Sequence, residues 1–320
     1  MKRKSSTLFL CFILCISLSS CKGGGHADIQ YKANTPALGG VSELEPSFAQ
    51  ELCVVPEDYK EEKEDQFSAA ASLIFDATTK EFLRADHVYK RLYPASITKI
   101  MTAYVAFKYA DLHDTVTFSY DASHITEWGA SLCGFAEGDQ VNMQDLLTAF
   151  LVCSGNDAGI AIAEHISGSV DEFAKLMNKE AKALGATQSH FVNPHGLHDE
   201  KHYTTPYDIY LIFNALIKNE NFINIIHTKD IEVTYSSKSG EIKSKTFTST
   251  NRYLCGKEVP PEGVTVIGGK TGTTFKAGSC LVLYSKGSNE HDYISIVFKA
   301  ENGDRLFYQM TELLKLIPNQ

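Results

Sequence analysis

Hydrophobic and polar positions divide the chain into three stretches of different character. An apolar run at residues 8–18 follows basic residues at positions 2–4. Residues 22–65 carry glycines, prolines and a charged run, which predict a tether with little fixed structure, although residues 48–55 are apolar enough to dock on a domain. From about Gln66 onward, periodic apolar patterns predict the folded part of the chain.

The folded part is predicted to have strands at both ends and helices between them. Residues 69–75 are apolar and lead through a turn into residues 81–84, which predicts a β-hairpin. Helical spacing dominates from Ser96 to about residue 218. The later segments are strands at 231–235, 264–267, 280–284 and 293–298, and an amphipathic helix at 304–317. This order predicts an α/β fold whose sheet is interrupted by a helical subdomain, with a site in the cleft between them.

The N-terminal apolar run predicts an export signal, because it is too short to cross a bilayer. It ends in Leu-Ser-Ser-Cys at residues 18–21, which resembles the bacterial lipobox, where the cysteine is acylated after cleavage. We therefore expect residues 1–20 to be removed and Cys21 to carry a lipid that holds the protein at a membrane surface. An ordinary cleaved signal, with Cys21 there by coincidence, is the alternative.

Charge and cysteine content narrow the possible partners. The 320-residue chain has a formal net charge of −9, which disfavours nucleic acid because phosphate binding needs clustered Lys and Arg. Beyond the export segment, the cysteines are Cys53, Cys133, Cys153, Cys255 and Cys280. Their odd number, without a C-x-x-C pair, argues against a full disulfide framework or a zinc ribbon. We expect mostly buried thiols, with one bridge possible.

Three short motifs in a fixed order carry the chemistry: Ser-Ile-Thr-Lys at 96–99, Ser-Gly-Asn at 154–156 and Lys-Thr-Gly at 270–272. Each is weak alone, but the three together in this order are the pattern of penicillin-binding proteins and class A β-lactamases. Ser96 and Lys99 stand three apart at a predicted helix start and so share one face. A serine hydroxyl needs a base within hydrogen-bond reach, and Lys99 can serve if burial beside a second cation, Lys270, lowers its pKa.

The chain resembles the low-molecular-mass D-alanyl-D-alanine carboxypeptidases, penicillin-binding serine peptidases, over residues 66–317. Supporting stretches are residues 94–99, 154–158, 193–197 and 268–274. The resemblance implies a β-lactamase/transpeptidase-like α/β (α+β) fold, with an antiparallel sheet flanked by helices and a mostly helical subdomain. It also implies hydrolysis of the terminal D-Ala of peptidoglycan stem peptides, inhibition by β-lactam antibiotics, and neither metal nor cofactor. A monomer is expected.

The resemblance also implies roles for the matching positions. Ser96 would attack the substrate carbonyl and Lys99 would take its proton. Ser154 would relay a proton to the leaving D-Ala, and Asn156 would hold the substrate backbone. The oxyanion would be bound by the backbone N–H groups of Ser96 and Thr273.

On the facing strand, the resemblance places Lys270 and Thr271 near the substrate carboxylate. Gly272 is expected to let the substrate backbone approach closely. Arg252 is a further hypothetical contact to that carboxylate, because relatives carry an arginine shortly before Lys-Thr-Gly; a surface arginine is the alternative.

The resemblance also sets the expected domain organisation. We expect a signal peptide at 1–20, the lipidated Cys21 and a tether to 65, and a catalytic domain at 66–320. Many relatives continue into a small β-domain and a C-terminal amphipathic membrane helix. This sequence stops at Gln320, so the lipid on Cys21 is expected to replace that anchor and to hold the protein outside the cytoplasm as a bacterial membrane lipoprotein.

Other classes of protein require residues that can be checked at the same positions. A phosphate loop would need a glycine at position 264, where this chain has a valine. The histidines at 195, 198 and 202 do not have the spacing of a helical zinc site. A class A β-lactamase would need a glutamate four residues before Asn193, where this chain has Ser189. A serine β-lactamase, a D,D-endopeptidase with the same machinery and a non-catalytic wall or penicillin sensor remain the alternatives.

Overall fold

A five-stranded antiparallel sheet is the centre of the described part of the chain, residues 52–62 and 64–319 of a computed structural model. Its strands are β1 (Ala71–Asp76), β2 (Glu81–Asp86), β7 (Val264–Thr274), β8 (Gly278–Gly287) and β9 (Asp292–Ala300). They lie in the order β2-β1-β9-β8-β7. The predicted N-terminal hairpin is confirmed as β1 and β2, and the strands predicted near 264, 280 and 293 are confirmed as β7, β8 and β9.

Both faces of this sheet are covered, which explains why its strands read as nearly continuous apolar runs. Leu73 and Phe75 on β1 face one hydrophobic cluster, whereas Ile74 between them faces the other. Helix α8 (Gly303–Leu314) packs on the face with Ile74, and its position confirms the predicted closing helix. The opposite face meets the helical part of the molecule, so the sheet and the helices share one core.

The middle of the chain is largely helical, as predicted. The helices are α1 (Thr98–Tyr109), α2 (Tyr120–Ser123), α3 (Met143–Val152), α4 (Asn156–Ser167), α5 (Val170–Ala183), α6 (Pro206–Leu216) and α7 (Glu220–His227). Polar side chains define several of their starts: Asn142, Ser169 and Thr205 each accept a hydrogen bond from a backbone N–H in the first turn of the following helix. These caps fix where α3, α5 and α6 begin.

A second antiparallel sheet, of order β3-β4-β5-β6, lies within the helical part. Its strands are β3 (Thr115–Thr117), β4 (Gln140–Asn142), β5 (Asp230–Ser236) and β6 (Ile242–Thr248). The sequence predicted only β5. Strands β3 and β4 are three residues each, too short for a clear alternation, and in β6 only Phe247 is buried. Backbone pairing rather than apolar pattern therefore defines this sheet.

Tyrosine hydroxyls hold residues 53–55 against the domain. Cys53 is fully buried; its N–H donates to Tyr210 Oη at 2.8 Å and its carbonyl accepts from Tyr207 Oη at 2.8 Å. Tyr89 Oη donates to the carbonyl of Val55, which is also buried. The end of the predicted tether is thus part of the core, in agreement with the apolar character of residues 48–55.

We expect Tyr210→Phe to lower the free energy of unfolding by about 1 kcal/mol, because the buried N–H of Cys53 would lose its acceptor. Urea unfolding measures the loss, and amide hydrogen exchange should show faster exchange at Cys53. Tyr120→Phe is the matched control, since the Tyr120 side chain is 62% exposed. Equal stability of Tyr210→Phe and wild type would contradict this account of how the segment is held.

Candidate active site

A cavity of about 930 Å³ opens beside Ser96, where the first sheet meets the helical part. Asn156 lines it from the helical part and Thr273 lines it from β7. Its outer rim includes Trp128 and Phe275, whose side chains are each 98% exposed. The predicted cleft between sheet and helices is therefore present, and it contains residues from all three motifs or their immediate neighbours.

Ser96 lies in a short 3-10 helix, Ala95–Ile97, that leads directly into α1. Ala95 has φ +48°, a conformation that is rare for a residue with a Cβ and that concentrates at functional sites. Thr98 Oγ1 donates to the Ala95 carbonyl at 2.8 Å and lies 2.8 Å from His202 Nε2. These contacts fix the strained turn that presents Ser96.

Lys99, in the first turn of α1, is completely buried and has only neutral oxygens within hydrogen-bond distance of its amine. Its Nζ lies 2.7 Å from Asn156 Oδ1, 2.8 Å from the His195 carbonyl and 3.0 Å from Ser96 Oγ. A neutral amine has two N–H donors and one lone pair. If the donors serve Asn156 and His195, the lone pair faces the Ser96 hydroxyl, as a general base requires.

Burial and a second cation both lower the pKa of Lys99 and so favour its neutral form. Desolvation is the main cause that holds the pKa of Lys99 well below its ordinary value, and the charge of Lys270 adds to it. Lys270 is itself buried, which lowers its pKa to about 7. Lys270 Nζ lies 3.0 Å from Ser154 Oγ and donates to the Thr271 carbonyl at 3.0 Å.

The Ser-Gly-Asn motif forms the turn between α3 and α4. Ser154 has φ +67°, and Asn156 is the first residue of α4. The turn therefore points Ser154 toward Lys270 and Asn156 toward Lys99. The two residues at this turn therefore each contact one of the two buried lysines.

The Lys-Thr-Gly motif lies inside β7, at the edge of the first sheet. A Cβ added at Gly272 would lie 2.8 Å from the Ser96 nitrogen and 2.9 Å from the Ile97 nitrogen, so only glycine fits this close approach. The Thr271 hydroxyl lies 2.6 Å from that of Thr250. Thr273 is exposed and lines the cavity.

Arg252 is placed differently from the other predicted residues. Its guanidinium lies 2.7 Å from Asp304 and 3.4 Å from Glu258, and it stacks on the ring of Phe307. Among the described residues that line the cavity, Arg252 is absent. Cys21 lies outside the described residues.

Two contributors to the site were not predicted as functional residues. The carbonyl of His195 accepts from Lys99, and both carboxylate oxygens of Asp157 accept backbone N–H groups, from Cys133 and Gly134. The stretches around 154–158 and 193–197 were recognised only as supporting motifs. A backbone carbonyl gives no signal in a sequence, so only the fold could assign it.

The histidines considered for zinc serve other contacts. Both ring nitrogens of His202 are engaged, with Thr98 Oγ1 and the N–H of Val192, and His195 Nδ1 accepts from the N–H of Leu197. Within residues 52–62 and 64–319, no cluster of three or more His, Cys, Asp or Glu side chains is arranged to hold a metal ion.

Comparison with known proteins identifies the family. The family described as D-alanyl-D-alanine carboxypeptidase matches residues 58–302. The chain belongs to this family. DacF of Bacillus subtilis, a D-alanyl-D-alanine carboxypeptidase, is 33% identical over 265 residues, which cover 81% of this chain and 64% of DacF. DacC of Escherichia coli, with the same description, is 35% identical over 255 residues, covering 77% of this chain and 60% of DacC.

Solved structures of the family have the same fold. The crystal structure of the Streptomyces K15 DD-transpeptidase superimposes with a TM-score of 0.73 at 26% identity, covering 80% of this chain and 98% of that one. The chain therefore has the antiparallel sheet flanked by helices of the DD-peptidases, as the resemblance implied. It spans about three fifths of the length of the curated relatives named above.

We expect Lys270→Met to raise the pKa of Lys99, because the mutation removes the positive charge that acts second to burial in lowering it. Titration of the side-chain nitrogen signals of 15N-lysine-labelled protein by NMR measures this directly. The shift should be upward and partial, since desolvation remains. Lys276→Met, which removes an exposed lysine at the cavity rim, is the control and should leave Lys99 unchanged. A Lys99 titration unaffected by either mutation would rule out coupling between the two lysines.

Proposed function

We propose that the protein is a serine-type D-Ala-D-Ala carboxypeptidase that removes the terminal D-Ala from peptidoglycan pentapeptides through an acyl-enzyme on Ser96. The observation that carries the proposal is the 3.0 Å contact between Ser96 Oγ and the buried amine of Lys99 at a cavity, in a member of this family. A hydroxyl beside a neutral amine of depressed pKa is an activated nucleophile.

In the proposed acylation, Ser96 Oγ attacks the carbonyl carbon of the penultimate D-Ala, and its proton passes to Lys99 Nζ. The oxyanion that forms is bound by the backbone N–H groups of Ser96 and Thr273. The close approach of Gly272 to the Ser96 nitrogen supports this arrangement, because it holds the β7 backbone that continues into Thr273 directly beside the nucleophile.

In the proposed departure of the terminal D-Ala, Ser154 delivers a proton to the leaving amine. Its hydroxyl lies 3.0 Å from Lys270 Nζ, which can replace the proton. Asn156 Nδ2 is available to the substrate backbone, since its Oδ1 accepts from Lys99. Water then releases the shortened peptide from Ser96. Apart from this water, every step uses only side chains and backbone of this chain, so the proposal includes no metal or cofactor.

The substrate carboxylate is proposed to bind at β7, beside Lys270 and Thr271. A lysine whose pKa is about 7 and the position of β7 as an edge strand of the sheet support this site. Arg252 stays a hypothesis for the same carboxylate. Its guanidinium would first have to leave Asp304 and Glu258, which hold it now.

β-Lactam antibiotics are proposed to acylate Ser96 and to leave slowly, which makes them inhibitors. A class A β-lactamase uses a glutamate to activate the deacylating water, at the position that Ser189 occupies here. The Ser189 hydroxyl lies 2.7 Å from Thr204 Oγ1 and donates to Asp208 at 2.7 Å, so it is part of a structural network. This contact favours a peptidase over a β-lactamase.

We also propose that the protein acts outside the cytoplasm, in cell-wall biogenesis and the control of cell shape. The export signal at 1–20, a lipid on Cys21 and the part of the predicted tether that precedes Cys53 would place the catalytic domain, as a monomer, within reach of peptidoglycan from the membrane surface. Within the part of the chain that the structure describes, no helix is long and apolar enough to span a bilayer.

The decisive test is intact mass spectrometry with a fluorescent penicillin and a D-Ala–D-Ala peptide. Wild type should form a stable adduct that maps to Ser96 and should release free D-Ala. Ser96→Ala should lose both activities by a factor of at least about 10³, because the nucleophile is absent. Ser239→Ala, in the exposed turn between β5 and β6, is the control and should match wild type.

Other outcomes distinguish the alternatives. Rapid loss of the penicillin adduct would indicate a β-lactamase, and an adduct without D-Ala release would indicate a sensor. Cleavage of cross-linked muropeptides in preference to pentapeptides would indicate a D,D-endopeptidase. An adduct that survives Ser96→Ala would place the nucleophile elsewhere and overturn the proposal.

A further inference from the structure

Two free cysteines meet directly behind the Ser-Gly-Asn turn. The Sγ atoms of Cys133 and Cys153 lie 3.4 Å apart. Cys153 ends α3 and immediately precedes Ser154, whereas Cys133 lies in the connection between α2 and β4. Cys133 is buried and Cys153 is partly exposed, so Cys153 is the more accessible residue of the pair.

Backbone contacts already fix the two segments against each other. The Asn156 N–H donates to the Ser131 carbonyl at 2.7 Å. The N–H groups of Cys133 and Gly134 donate to the two carboxylate oxygens of Asp157, at 2.8 and 2.7 Å. These hydrogen bonds hold the segment around Cys133 beside the turn that follows Cys153. The short distance between the two sulfurs is therefore a consequence of the fold.

The position of the Cys133 sulfur is also tied to the middle residue of the motif. A Cβ added at Gly155 would lie 2.3 Å from Cys133 Sγ and 2.8 Å from the Cys133 nitrogen. The sulfur therefore fills the space over Gly155, and a displacement of Cys133 is transmitted to the turn that carries Ser154 and Asn156.

We propose that Cys133 and Cys153 are a redox-modification site, at which a reversible disulfide restrains the Ser154–Asn156 turn. A disulfide bond of about 2 Å needs only a small approach of the two sulfurs from their present contact. The oxidant is a disulfide or dithiol–disulfide protein of the oxidising space outside the cytoplasm. This inference rests on the proposed extracytoplasmic location and on the proposed role of Ser154.

The environment assigns the order of the two thiols. The Cys133 thiol is taken as the donor to Cys153. That hydrogen bond, the Gly155 N–H and the charge of Lys270 lower the pKa of Cys153. The same hydrogen bond and burial raise the pKa of Cys133. Cys153 is thus the attacking thiolate, and it is also the more accessible of the two.

The reaction balances as two thiol–disulfide exchanges. The Cys153 thiolate attacks one sulfur of the oxidant and expels its other sulfur as a thiolate. Cys133 then loses its proton and attacks Cys153 in the mixed disulfide, which expels the second thiolate of the oxidant. Two electrons and two protons pass from the protein to the oxidant, which leaves as a dithiol.

The expected effect of the bridge is slower acylation of Ser96. In the thiol form, Lys99 contacts Asn156 at 2.7 Å and Lys270 contacts Ser154 at 3.0 Å, both near the optimum for a hydrogen bond. Closure of the bridge displaces the residue that precedes Ser154, so it lengthens contacts that already have favourable lengths. A small misplacement of catalytic groups lowers the rate several-fold or more.

The experiment equilibrates the full chain in mixtures of oxidised and reduced dithiothreitol and maps disulfides by proteolysis and mass spectrometry. Wild type should form a bridge that joins the peptides containing Cys133 and Cys153, with loss of two hydrogens. Acylation by fluorescent penicillin should then slow by about threefold or more and recover with reductant. Cys133→Ser and Cys153→Ser should form no such bridge, and their acylation should not respond to oxidant. Cys255→Ser, outside the pair, should behave as wild type.

Absence of the bridge at full oxidation, in protein whose thiols are all accounted for, would overturn the proposal. A bridge that forms without any change in the acylation rate would contradict the proposal that the disulfide restrains the Ser154–Asn156 turn. Failure of the reduced protein to bind penicillin at all would instead contradict the proposed function, and the mapped bridge would still decide whether the pair is a redox site.

Discussion

Two lysine amines are buried at one site without a carboxylate to pair with either, and the rest of the site follows from this constraint. Within the described residues, neither Lys99 nor Lys270 forms an ion pair; each has neutral oxygens as partners. Burying a charged ammonium under these conditions is costly, so burial lowers the pKa of both amines. A carboxylate beside Lys99 would have kept it charged and useless as a base. The three neutral oxygens around its Nζ, from Ser96, Asn156 and His195, are therefore part of what the proposed base requires.

The fold supplies this environment by bringing the ends of several elements to one edge of the main sheet. Helix α1 places Lys99 in the core, the turn before α4 supplies Asn156, and β7 brings Lys270 from the other side. Close backbone contact keeps the parts in register, because Gly272 lies against the Ser96 nitrogen. Strained conformations at Ala95 and Ser154 show that local preference was overruled here by the surrounding structure. Such strain persists only where tertiary contacts determine the backbone.

Much of this site could be predicted from the sequence, because the side chains proposed to react belong to three short motifs. Ser96, Lys99, Ser154, Asn156 and Lys270 are brought together as expected. The His195 carbonyl and the role of Asp157 in holding a neighbouring loop could not be predicted, since both depend on backbone groups distant in sequence. The same reason explains the missed second sheet: strand β6 shows one buried residue, Phe247, and is defined by pairing with β5. Sequence patterns report burial well and report backbone partnerships poorly.

The two lysines also differ in how their protonation depends on the surroundings. For Lys99, desolvation is the larger cause of the lowered pKa and the charge of Lys270 is the smaller one, so burial favours the neutral amine even without the charge of Lys270. Lys270, with a pKa of about 7, changes its charge in the range where a cell-wall enzyme would work. In the proposed reaction this difference gives the two lysines different roles. Lys99 is a base whose neutral form burial favours, whereas the protonated form of Lys270 is one that an arriving carboxylate would stabilise by raising its pKa. A site built on desolvation thus favours substrates that bring their own negative charge to β7.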